Sequence, residues 1–391
     1  MIEKALRGKP AYWMWLAVLG VFIAIGAVCY LRQFMLGLGL TGMGRDLAWG
    51  LYISQFTFLV GVAAGGLMLV LPYYVHNYKA FGRITILGEF LAISALLMCL
   101  MFIMADIGQP LRGMNMMLHP TPNSMLFWDM VVLLGYLGLN VICGWVILTA
   151  ERKQVKPPKW VYIFVYVSIP FAVSIHTVTA MLYMGLPGRH FWLTAITAPR
   201  FLASAFAAGP ALIVLACLIM KRVANFDAGK EAINKITTII MYAAIINAFF
   251  VLLEFFVGYY SQIPGHIHSL RYLFFGLEHH GEVYNNLVPF MWAATLFLFG
   301  GLGILAYMKI KDFATDSLIA IACALIFISL YLDKGLGFVL GGLVVSPLHE
   351  INEYYPTLNE IGVTLGIWAT GFFILTVLYK IAIGVEHEVE A

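Results

Sequence analysis

The chain has 391 residues, 62% of them hydrophobic and only 11% charged, with a mean hydropathy of +0.90. Such a composition excludes a soluble globular domain and indicates a polytopic membrane protein. The net charge of +3 is dispersed along the chain and too small for a nucleic-acid partner.

The first element is `MIEKALRGKPAYWMWLAVLGVFIAIGAVCYL`. It imitates a signal peptide, but its apolar run is about 20 residues long and no small-x-small site ends it, so it reads as a retained first span. Apolar runs long enough to cross a bilayer follow, giving ten spans at about 12–31, 51–75, 84–105, 125–148, 161–183, 200–220, 236–260, 289–309, 314–333 and 360–383. Trp13, Trp15, Trp49, Trp128, Trp160, Trp192 and Trp292 lie near span ends, as interfacial aromatics do.

An internal repeat is visible. `FLVGVAAGGLMLV` (58–70) aligns with `LASAFAAGPALIV` (202–214) at an offset of 144, which also carries spans two to five roughly onto spans six to nine. An even number of spans per copy leaves both copies pointing the same way through the membrane. The expected fold is all-α: two tandem four-helix bundles flanked by spans one and ten. The expected divisions are 1–48 (first span and outer connection), 49–183 (first bundle), 184–333 (second bundle) and 334–391 (outer loop, last span and tail).

Of the 23 Lys and Arg residues, Arg32, Arg45, Arg112, Arg189, Arg200, Arg271 and Lys334 fall on one face. All the others fall at the termini and even-numbered connections, so the positive-inside rule puts both termini in the cytoplasm of a cell-membrane protein. The outer connections are long (32–48, 106–124, 184–199, 261–288 and 334–359), whereas 76–83 and 310–313 are short. Long loops fit a partner docked outside; packing over helix ends is the alternative.

Ionisable groups in hydrocarbon are costly and are functional candidates by default. By helical rise, His176 lies roughly 22 Å along span five, in its outer third. Asp129 lies one turn into span four, Glu254 in the outer part of span seven, and Arg200 opens span six, with Asp106 closing span three at similar depth. A quinone headgroup suits such a set, because its carbonyl oxygens need a donor and its protons a carboxylate or imidazole. His176 and Asp129 are the expected catalytic pair, with Tyr183, Gln55 and Arg200 as further headgroup contacts. Arg200 has the alternatives of capping a loop or pairing with Asp106, and Glu254 that of neutralising Arg271.

Glu89, roughly 8 Å deep from the opposite side by helical rise, begins with Asn140 and Glu254 a candidate proton route; its alternative is snorkelling towards Arg83 or Lys79. The cysteines Cys29, Cys99, Cys143, Cys217 and Cys323 form no CxxC or CxxCH. No iron–sulfur cluster, haem or metal is therefore expected in the chain. His176 is also the only histidine well inside a span, and a bis-histidine haem needs two.

`SIHTVTAMLYMGLPGRHFWLTAITAPRFLASAFAAGPAL` (174–212) and `LYISQFTFLVGVAAGG` (51–66) resemble the NrfD/PsrC family of quinone-interacting membrane subunits, in particular its ten-span branch. Within that branch the chain resembles the P subunit of the DsrMKJOP complex of sulfate reducers and, nearly as well, the C subunit of the Hmc complex. The resemblance implies a subunit that exchanges electrons between menaquinone and a ferredoxin-like iron–sulfur subunit on the outer face. A multihaem cytochrome c subunit and further membrane and cytoplasmic redox subunits are the other implied partners. His176 matches the family's fifth-span histidine. Some relatives carry a carboxylate six positions later, where this chain has Leu182, so Asp129 or Glu254 would have to serve instead. A secondary transporter, or an anchor with no site of its own, are the rival readings.

Overall fold

The computed structural model describes residues 2–347 and 350–390. Ten helices are long and apolar enough to cross a membrane. They are α1 (Pro10–Leu36), α2 (Leu51–Tyr74), α3 (Lys79–Asp106), α4 (Met125–Arg152), α5 (Lys159–Met184), α6 (Thr197–Val223), α7 (Lys230–Ser261), α8 (Val288–Lys311), α9 (Asp316–Val344) and α10 (Leu358–Val389). The protein is thus an all-α, multi-pass integral membrane protein. Among the described residues the one sheet is a hairpin, β1 (Leu277–His279) paired antiparallel with β2 (Glu282–Tyr284). Its two-residue turn, His280 and Gly281, takes positive φ at both positions, as a tight hairpin turn demands.

Helices prevail because lipid supplies no hydrogen-bond partner for a free backbone. What separates central from peripheral helices is how much surface each one hides. In the most apolar stretch of α2 and of α3, 78% of residues are buried, against 17% in α1. Helices α2 to α5 pack on one another, α6 to α9 likewise, and α1 pairs with α10, which lies against α3 and α4. The two groups meet chiefly where α2 crosses α6. Gly65 of α2 lies directly on Gly209 of α6, and a Cβ on Gly209 would stand 2.8 Å from the Val62 carbonyl oxygen. These two glycines are equivalent in the sequence repeat. Just beyond, a Cβ on Gly66 would stand 2.8 Å from the Gly88 carbonyl of α3, so three helices converge here.

Helix α9 departs from the expected span. It runs through Lys334 to Val344 by way of a π-helical turn, Tyr331–Gly337, inside the apolar run. Lys334 is consequently not a loop charge; it is 3% exposed within the helix stack. The Asp333–Lys334 pair reads in sequence as the end of a span, yet eleven mainly apolar residues, Gly335 to Val345, follow it and carry the helix on.

The long connections share one end of the molecule, opposite both termini, and much of their backbone is tied to helix ends. The Arg189 guanidinium donates to the carbonyls of Leu343 (2.8 Å) and Val345 (3.2 Å) at the end of α9, and to that of Asp46 (2.7 Å). Those carbonyls have no partner within the helix, and a cation complements the negative end of its dipole. At the start of α10, the Glu360 carboxylate accepts from the amides of Gly42 (2.8 Å) and Thr357 (2.8 Å) and from the Tyr354 hydroxyl (2.5 Å).

Replacing Gly65 with Leu should force α2 and α6 apart and destabilise the protein by about 1–3 kcal/mol, the usual cost of overpacking. Gly20, whose added Cβ would meet nothing within 4 Å, should accept the same change. Thermal unfolding of both variants in detergent makes the comparison.

Candidate functional site

Helix α5 presents His176, Thr179 and Tyr183 on one buried face, at spacings of three and seven residues. The Thr179 hydroxyl is shared between the Asp129 carboxylate of α4 (2.6 Å) and its own helix carbonyl at Ile175 (2.7 Å). The Tyr183 hydroxyl pairs with that of Thr57 on α2. Trp192, Phe338 and Trp49 surround the Tyr183 ring, with centroids 5.0, 5.2 and 5.4 Å away. His176 is fully buried; no side chain among the described residues bonds either ring nitrogen, and its one backbone neighbour is Ala172, a turn back on its own helix. An unpaired buried polar group costs about 1–3 kcal/mol and calls for an explanation such as a ligand, a water or an ion.

A second polar group forms around Arg200. One terminal nitrogen donates to both oxygens of Asp333, at 2.8 Å each, and the other pairs closely with Glu254. The π-helical turn aims the next residue, Lys334, elsewhere: its ammonium lies 4.2 Å from the Phe201 ring centroid and has no hydrogen-bond partner among the described residues. When all are ionised, the two carboxylates, the guanidinium and the ammonium sum to zero, which is what burial of charge requires. Phe201 and Phe338 each touch Tyr183, and also Lys334 and Arg200 respectively, so they link the two groups.

The structure therefore places His176 and Tyr183 on one face of α5 and ties Asp129 to that face through Thr179, but sorts the other predicted residues differently. Arg200 and Glu254 bind each other, rather than Asp106 and Arg271. Gln55 is already engaged, donating to the Tyr331 hydroxyl (2.7 Å) and accepting from Trp368 (2.9 Å), so it joins α2 to α9 and α10. Glu89 and Asn140 line one cavity of about 10 Å³ together with Tyr136, Cys143 and Ser168, room for about one water. Glu89 is 3% exposed, so it does not snorkel. A cavity of similar size, about 10 Å³, joins Glu254 to Thr194 and His266 near the loop-rich end.

Sequence reading missed Thr179, Asp333 and Lys334. Thr179 carries no signal beyond its spacing from His176, whereas the apolar run after Lys334 is a usable one. No metal ligands were expected; at the hairpin, His279, His280 and Glu350 bring three potential ligand atoms within 4.8 Å of one another, at or near the surface.

Residues 39–347 match the protein family described as polysulphide reductase, NrfD. The chain belongs to this family. It is also similar to three curated proteins. A membrane component of a candidate dimethyl sulfoxide reductase of Halobacterium salinarum is 28% identical over 57% of this chain and 55% of its own length. The Hdr-like menaquinol oxidoreductase integral membrane subunit of Archaeoglobus fulgidus is 23% identical over 54% of this chain and 52% of its own. The menaquinone reductase integral membrane subunit of Nitratidesulfovibrio vulgaris is 25% identical over 54% of each. The chain spans about half the length of these relatives.

Two outcomes are expected. Replacing Arg200 with Met strands two buried carboxylates and should cost about 3–5 kcal/mol, read as a fall in thermal midpoint. In the NrfD chain, burial and then the neighbouring His190 hold the His266 imidazole below its ordinary value. The unfolded chain thus binds the extra proton more readily, and stability falls as pH drops through about 6.5 and below. The thermal midpoint between pH 7.5 and 5.5 should show this slope, and His266→Gln should flatten it.

Proposed function

We propose that the chain is the quinone-linked membrane subunit of a respiratory redox complex, with menaquinone or menaquinol as its substrate. The observation that carries the proposal is a buried imidazole on the same helix face as Thr179, whose hydroxyl holds the Asp129 carboxylate of the neighbouring helix. His176 offers a ring nitrogen to a carbonyl or hydroxyl oxygen of the headgroup. Asp129, oriented by the Thr179 hydroxyl, accepts or returns the proton that accompanies each electron. Tyr183 and its aromatic surround supply a flat, dry wall near the loop-rich end. The printed names of the Archaeoglobus and Nitratidesulfovibrio relatives, which refer to menaquinol and menaquinone, support the ligand class.

In this reading the chain holds no electron carrier of its own. Electrons pass to or from a ferredoxin-like iron–sulfur subunit seated on the loop-rich end, with a multihaem cytochrome and other redox subunits completing the assembly. The distribution of cations supports an orientation with both termini in the cytoplasm and that end outside. Arg200 supports the headgroup region through Phe338, whose ring lies 6.0 Å from its guanidinium carbon. Glu89 and Asn140, which share a water-sized cavity, form the inner part of a proton route, and Glu254 its outer part.

Replacing His176 with Ala in the intact complex should lower quinol-dependent electron transfer by about 10²–10⁴-fold, the usual worth of a placed acid–base group. The amount of assembled complex should not change. Turnover at the wild-type rate would refute the assignment and favour an anchor without a site.

A further inference from the structure

A large apolar cavity opens on the opposite group of helices. It measures about 280 Å³ and lies between α7 and α8, roofed by the short helix Pro264–Phe275 and floored by α9. Its mouth is on the lipid-facing flank: Leu252, Phe275 and Phe299 are 62%, 67% and 57% exposed. Its inner walls are aromatic, with Phe255 against Phe274 at 4.9 Å and Phe274 against Trp292 at 6.1 Å, both edge to face. Two polar residues reach its floor, Ser329 and the Asp333 that Arg200 holds.

We propose that this cavity is a second ring-binding pocket, for a membrane-soluble hydroquinone that enters from the bilayer between α7 and α8 and donates a hydroxyl to Asp333. The proposal takes its ligand class from the quinone-linked reading and its place from geometry alone.

Three properties select that ligand. The floor offers acceptors and no free donor. The Ser329 hydroxyl is already donated to the Ala294 carbonyl at 2.6 Å, and the Asp333 carboxylate keeps lone pairs beyond the bonds from Arg200. A hydroquinone has the O–H to offer, and the oxidised quinone does not. An acyl chain has no donor and would leave the remaining lone pairs of the carboxylate unused. A phosphate headgroup would meet the Asp333 carboxylate, whose countercharge comes from a guanidinium already engaged with it. Size argues the same way. The volume of 280 Å³ sits at the lower edge of small-molecule pockets, about 300 Å³ upwards. It accommodates a ring and the start of a tail but not two acyl chains. The facing Phe and Trp edges suit a flat ring.

The test is photolabelling of the whole protein in lipid nanodiscs with a short-chain hydroquinone carrying a diazirine, kept reduced by dithionite. The products are mapped by peptide mass spectrometry. Label is expected on the α7 and α8 peptides around Leu252 and Trp292. Ala248→Trp, which fills the half-buried wall without touching the ion group, should reduce it by about tenfold or more, equivalent to about 1.4 kcal/mol. Asp333→Asn should weaken it by roughly tenfold through loss of a charged acceptor, while His176→Ala should leave it unchanged. Label confined to α5 and lost in His176→Ala overturns the second pocket and leaves the quinone-linked reading standing. Label that Ala248→Trp does not reduce, in a variant with wild-type unfolding temperature, also overturns the pocket. A diazirine phosphatidylcholine that labels the same peptides and is displaced by no hydroquinone identifies a lipid groove and overturns it too. Absence of label everywhere counts against pocket and quinone reading together.

Discussion

The contact on which the rest of the molecule depends is a backbone-to-backbone crossing. At Gly65 and Gly209 two helices approach until no side chain fits between them. In lipid there is little hydrophobic drive for helices to associate, so close van der Waals contact between small residues has to supply it. Because α2 and α6 meet so tightly, α3 joins at Gly66 and the remaining helices pack around this centre. The equivalence of the two glycines in the sequence repeat means that each copy contributes the same notch to the junction.

Around this junction polar groups are buried in two different ways. The Arg200 group is saturated in charge rather than in hydrogen bonds: one cation is shared by two carboxylates and its second cation is laid on an aromatic face. Attraction at short range in a medium of low dielectric offsets the cost of removing those charges from water only if the pairing is nearly complete. The His176 group is the reverse: Thr179 orients Asp129, but the imidazole is left without a side-chain partner among the described residues. A saturated group resists change, and an unsaturated one has capacity left for a ligand. That contrast is the reason for assigning the headgroup to the histidine side, while the cavity below α7 and α8 gains its polarity from one edge of the saturated side.

Much of this was legible in the sequence, and the part that was not has a physical cause. Ten apolar runs gave ten helices, since length and hydropathy are local quantities. The repeat located the glycines that meet. His176 and Asp129 stood out because ionisable residues are rare in apolar helices. Partner choice was not local. Arg200 was equally able, by depth, to reach Asp106, and only the packing of α6 beside α7 and α9 decides for Glu254 and Asp333. The extent of α9 is hidden for a related reason. Two adjacent charges look like a helix end when their environment is assumed to be lipid or water, but an interior that carries Arg200 and Phe201 makes them stable deep in a span. The π-helical turn has no signature in hydropathy at all, yet it sends Asp333 and Lys334 to different neighbours.

Arg189 gives that turn a mechanical connection. Between the π-helical turn and the carbonyls that Arg189 holds lies one short helix, Phe338–Val344, roughly 10 Å long by helical rise. A segment of that length behaves as a strut, since bending it would break hydrogen bonds that lipid and packed side chains cannot replace. Its far end is pinned through the same guanidinium to the Asp46 carbonyl in the connection between α1 and α2. The surface of the loop-rich end and the buried charges of α9 are therefore joined by one short, rigid segment.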